Sequence, residues 1–118
     1  MPEILLKNLA HETVLPLKEQ VQILPGQIVS KTLAQNTAVS ITLFAFDKGE
    51  EIGAHDSEGD AMVTVLDGAG FFTVDGREYF AGAGETIIMP AKKPHAVYAK
   101  EPFKMLLIIV FPNSEKKG

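Results

Sequence analysis

"FFTVDGREYF", residues 71–80, sets two runs of β-branched and aromatic residues on either side of Asp75-Gly76. A tight two-residue turn needs positive φ, which Gly adopts freely and Asp tolerates, so the stretch predicts a hairpin and, at least there, an antiparallel sheet. Outward from it the chain continues as short apolar and β-branched segments separated by Gly, Asp, Asn and Pro about every eight to twelve residues, the pattern of a sandwich or barrel. Strands are expected near 27–34, 38–46, 51–55, 60–67, 70–75, 77–81, 85–89, 95–100 and 103–111. After Gln27 no segment holds apolar residues at a helical period over more than two turns. Within residues 8–20 a short helical turn is expected around LAHETVL, interrupted by Pro16.

The 118 residues are enough for one domain with its own core, and 46% hydrophobic with 22% charged residues is the composition of a folded globule. The expected organisation is an N-terminal arm over 1–26 that packs on the barrel or on a partner subunit, a barrel over 27–112, and a polar tail over 113–118. With a formal charge of −4 and scattered basic residues, nothing here releases counterions from a phosphate backbone, so nucleic acid is not an expected partner. The chain has no cysteine, hence no disulfide, thiolate nucleophile or zinc-thiolate site. The longest apolar run, MLLIIVF at 105–111, is far short of the roughly 20 residues a spanning helix needs, and the N-terminus lacks the pattern of a signal peptide. A cytoplasmic protein with no membrane partner is expected. The last segment, FKMLLIIVF, is apolar on both faces, so something covers both: either the arm lies over a central strand, or a second subunit does, which makes a homodimer.

Two spaced motifs carry the chemistry. Gly49 is followed by five residues and then His55, and Gly68 closes the stretch; Gly84 is followed by five residues and then Pro90, with His95 beyond it. These positions fit the frames G(X)5HXH(X)3E(X)6G and G(X)5PXG(X)2H(X)3N, and on them the chain resembles a small single-domain cupin across roughly residues 27–111. The resemblance implies an all-β, antiparallel jelly-roll barrel or sandwich with a short N-terminal arm. Gly49, Gly68 and Gly84 are read as strand-end residues, and Pro90 as the stop before the loop that delivers His95.

The family's metal is held by two histidines and a glutamate of the first motif and the histidine of the second, a set suited to a divalent first-row metal. In this chain His55 and His95 keep their places, whereas Ser57 replaces the second histidine and Ala61 the glutamate; Lys92 stands for the glycine of PXG and Ala99 for the asparagine. Asp60, one residue from the ligand position, should face away by strand parity, and Glu58 reaches inward only if its loop folds over the barrel.

Losing charge and volume at Ser57 and Ala61 should leave a less polar hollow, with Ala61, Val63 and Val65 on the face of His55 and with Phe44, Phe46 and Met89 as contributors from neighbouring strands. The reading favoured is a small-molecule-binding cupin that uses His55, Ser57, Ala61 and His95, with no certain cofactor. The alternative is a metal-dependent oxygenase or isomerase with His55 and His95 as the remaining ligands of a divalent transition metal. A third is a filled barrel with a purely structural role as a homodimer, in which His55 is a hydrogen-bonded strand residue and His95 caps a loop. Lys92 and Lys93 either attract a carboxylate at the rim or belong to a solvated loop. His11 matches neither motif and is expected to be exposed.

Overall fold

The computed structural model describes residues 3–113, so the tail expected at 113–118 lies, apart from Asn113, outside the described residues. Among the described residues nine strands follow one another: β1 (Ile28–Gln35), β2 (Val39–Phe46), β3 (Glu51–His55), β4 (Asp60–Asp67), β5 (Ala69–Val74), β6 (Arg77–Gly82), β7 (Thr86–Met89), β8 (His95–Tyr98) and β9 (Phe103–Val110). They form two antiparallel sheets, ordered β1-β2-β9-β4-β7 and β3-β8-β5-β6, the jelly-roll sandwich implied by the motifs. The hairpin expected at Asp75-Gly76 is β5–β6: Val74 pairs with Arg77, and Asp75 and Gly76 take φ of 50° and 84°. No helix among the described residues is long and apolar enough to cross a membrane.

Alternation along the strands separates two apolar layers. The inward residues of β4 (Ala61, Val63, Val65), of β2 (Phe44, Phe46) and of β9 (Phe103, Met105, Leu107, Ile109) meet Phe72 and Val97 of the smaller sheet between the layers. The outward residues Leu43 and Ala45 of β2, with Leu106 of β9, pack under Leu9, Leu17, Val21 and Ile23 of the arm. Lys7 N donates to the Leu33 carbonyl at 2.8 Å, and the Lys104 ammonium to that of Lys18 at 2.7 Å. The arm therefore covers part of the outer face of the five-stranded sheet. The helical turn expected around LAHETVL is not there; the chain forms one 3-10 turn at Leu17–Gln20, just after Pro16. Proline fixes φ and lacks an N–H, so it suits the start of a turn better than its middle.

Gly68, which closes the first motif, is dictated by more than its φ of 73°: a Cβ there would lie 2.6 Å from the Pro102 carbonyl oxygen. The backbone runs too close to the β9 approach for any side chain.

Candidate functional site

His55 ends β3 and His95 starts β8, and the register pairs them directly across the two strands. Cross-strand partners project to the same face, so both rings point between the sheets, with centroids 4.4 Å apart and planes at 66°. Strict alternation would not have done this. Ile52 pairs with Val97 and His55 with His95, so three steps along β3 match two along β8. The extra residue is a bulge at Gly53-Ala54, which lets Ile52 and His55 both face inward. Glycine inside a strand was the available signal for it.

Each imidazole is oriented by a backbone carbonyl two residues before it. His55 Nδ1 lies 3.0 Å from the Gly53 oxygen, and His95 Nδ1 lies 3.1 Å from the Lys93 oxygen. A carbonyl only accepts, so in the neutral rings Nδ1 carries the proton and Nε2 keeps its lone pair. His95 is buried, and that burial holds its imidazole below the ordinary histidine value; the charge of His55 adds to the effect, while the bond to Lys93 and the charge of Asp56 oppose it. His55 is exposed.

Behind the two rings lies a cavity of about 190 Å³ between the sheets. His55, Ile52, His95 and Val97 line it from one sheet, and Ala61, Met89, Phe44, Met105, Leu107 and Ile109 from the other, with Ser57 at the loop between β3 and β4. The four residues expected at the site, His55, Ser57, Ala61 and His95, are thus brought together, and Phe44 and Met89 join them. Phe46, Val63 and Val65 do not line it; Phe46 lies deeper, its ring 4.8 Å from that of Phe103.

The loop after β7 is stapled to the one after β3. Lys92 N donates to the Ser57 carbonyl at 2.8 Å, and Ala91 N to Asp60 Oδ1 at 2.8 Å. Asp60 faces away from the cavity, as parity requires, yet holds the loop that delivers His95, a role sequence reasoning missed. Glu58 is turned outward, 4.0 Å from the Lys92 ammonium, and Lys93 pairs with Asp75 at 3.3 Å. His11 is exposed, with Nε2 2.6 Å from the Leu6 carbonyl.

Lys92 has φ of 66°, the left-handed conformation that explains a glycine at this place in the second motif. Its ion pair is solvent-exposed and contributes little. Lys92→Gly is therefore expected to raise stability, by up to about 1 kcal/mol after the extra freedom glycine gains on unfolding. A urea midpoint equal to or below that of the wild type would show that the left-handed backbone is not strained here.

Do these residues make the family's metal site? Among the described residues no group of three or more His, Cys, Asp or Glu side chains comes together to hold a metal. Ala61 has no donor atom, and the Ser57 hydroxyl donates to the Gly59 carbonyl at 2.7 Å. Two imidazole nitrogens are half of the four-ligand set, so the residues present do not fit it.

The comparisons with known proteins agree with the fold. Residues 42–111 match the model of the family described as the cupin domain. A conserved protein of unknown function from Streptococcus pyogenes superimposes with a TM-score of 0.91 at 47% identity, over 93% of this chain and 96% of that one. A cupin superfamily protein from Desulfitobacterium hafniense gives 0.87 at 34% identity, over 91% and 98%. A cupin 2 conserved barrel domain protein from Leptotrichia buccalis gives 0.77 at 46% identity, over 78% of this chain and 45% of that one. None of the curated proteins compared is a match.

Proposed function

This chain belongs to the cupin domain family, and from that premise we propose that it binds a small molecule between its sheets, with His55, Ser57 and His95 as polar anchors and Ala61 in the apolar wall. The observation that carries this reading is the pair of inward imidazoles at one wall of an otherwise apolar cavity of about 190 Å³. A hollow with apolar walls and a few converging polar groups is how small-molecule sites are built. The metal-dependent reading, an oxygenase or isomerase with His55 and His95 as ligands, has the two open Nε2 lone pairs in its favour. It is the weaker of the two, because Ser57 and Ala61 supply neither of the missing ligands and Glu58 and Asp60 are turned elsewhere.

The test is a thermal-shift screen of metabolites in the presence of chelator, on the wild type and on a His55→Ala, His95→Ala double variant. A ligand at about 100 times its Kd adds about 2.7 kcal/mol, a shift of several degrees. At least one compound is expected to give such a shift with the wild type and not with the variant. A screen with no hit on the wild type overturns the reading, and metal that co-purifies with the wild type alone would favour the other.

We further propose that the protein is a homodimer, with a second copy covering the part of the large sheet that the arm leaves open. Ile108, Met62 and Ile88 form one row across β9, β4 and β7, and Met62 and Ile88 remain 37% and 59% exposed. Such a row is uncommon on a monomer, and one face pairing with itself about a two-fold axis is the commonest way to cover it. Light scattering is expected to give the mass of a dimer for the wild type and of a monomer for Met62→Glu, Ile88→Glu, with unchanged circular dichroism. A monomeric wild type at micromolar concentration would sink the proposal.

A further inference from the structure

The polar end of the ligand can be read from which cavity atoms hold protons. His55 and His95 each spend the Nδ1 proton on a backbone carbonyl, and Ser57 spends its hydroxyl proton on the Gly59 carbonyl. What these residues keep for a ligand is two imidazole Nε2 atoms and a serine oxygen, all of them acceptors. The His95 Nε2 is not sealed inside the protein. Its ring bonds only through Nδ1, yet among the described residues no buried side-chain nitrogen or oxygen lacks a partner, so this atom opens on the hollow that His95 lines. The rings are close enough, 4.4 Å between centroids, for one small head group to reach both. Neither Lys92 nor Lys93 lines the cavity, and each is paired on the exposed loop with Glu58 or Asp75.

An acceptor-only wall selects for a donor. With both imidazoles neutral, a carboxylate or phosphate entering it would give up its hydration and meet lone pairs instead of protons, with no charge set against it. Size narrows the body of the ligand: an apolar cavity of roughly 150 Å³ accepts benzene, so one of about 190 Å³ accepts a single ring with a small substituent. On the basis of the small-molecule reading above, we infer that the ligand is an uncharged compound of single-ring size whose polar end is a hydroxyl, and that carboxylates and phosphates bind more weakly.

Three single-ring probes test this: p-cresol, toluene and benzoate, each titrated calorimetrically into the chelated protein at pH 8, above the ordinary imidazole pKa of about 6.5. The cresol is expected to bind about 3- to 10-fold more tightly than toluene, the value of one net hydrogen bond, and about 10-fold or more tighter than benzoate. Long-range ¹H–¹⁵N spectra of the free protein should show both rings protonated at Nδ1. Benzoate binding best, toluene matching the cresol, or either ring protonated at Nε2 would each overturn the hydroxyl inference while leaving a cavity that binds small molecules. Failure of all three to bind would overturn the inference, and the small-molecule reading would then stand or fall on the metabolite screen.

Discussion

A Ser57→His, Ala61→Glu double variant is expected to bind a divalent first-row metal at least about 100-fold more tightly than the wild type, since even partners that merely orient a ligand change affinity 10- to 100-fold. The substitutions put back the two groups that the first motif lacks, at positions already facing the right space. Ala61 is 1% exposed and stands across the cavity from the histidines, with Met89 and Ile109 as its cross-strand neighbours. Ser57 is half-buried and lines the same hollow. His55 and His95 already hold the tautomer of ligands, because the bonds from Nδ1 to Gly53 and Lys93 leave Nε2 free. Without metal, the new carboxyl is a polar group set in an apolar wall, which costs on the order of 1–3 kcal/mol or more. The metal-free variant should therefore melt below the wild type, and a metal at about 1,000 times its Kd should add back about 4 kcal/mol. Calorimetric titration with manganese, nickel and zinc, alongside melting curves, reads both effects. Unchanged metal affinity would mean that the two histidines do not occupy the geometry of the family's site, and the case for Ser57 and Ala61 as lost ligands would fail.

What could be read in the residues, and what could not, divides along a physical line. Local rules were legible. Asp75-Gly76 specified its hairpin because only a few residues tolerate two successive positive φ values, and the β4 alternation of Ala61, Val63 and Val65 fixed which face met the core. The spacing from Gly49 to Gly68 and from Gly84 to His95 placed both histidines, since these glycines mark backbone turns or close approaches that cannot slide. Non-local adjustments were not legible. The bulge at Gly53-Ala54 depends on how β8 pairs with β3, and without it His55 would have turned away from the cavity. Asp60 was correctly placed away from the cavity, but its bond to Ala91 joins residues 31 apart that only the fold brings together. The two-sided apolar character of β9 left open whether the arm or a subunit was the cover. The arm takes Leu106, and Ile108 belongs to the row that the arm leaves open.

Phe103→Ala is expected to lower stability by about 3–5 kcal/mol, against the 5–15 kcal/mol that holds a typical domain together. Phe103 is fully buried, lies nearly parallel to Phe46 at 4.8 Å, and meets Phe72 of the other sheet edge-on at 6.2 Å. It is the ring through which the two layers touch below the cavity. Gly70 is kept bare for it, since a Cβ there would stand 2.7 Å from the ring. The void left by alanine could not close, because β9 is held between β2 and β4 and cannot move inward without breaking two ladders. Urea unfolding should show a lower midpoint with an unchanged slope. The ring does not line the cavity, so the folded variant should bind p-cresol with wild-type affinity at low temperature. A loss below about 1 kcal/mol would show that the sheets are held chiefly by contacts elsewhere. A loss of binding in the folded protein would show that the hollow between the histidines depends on the packing beneath it, so that site and core could not be varied separately.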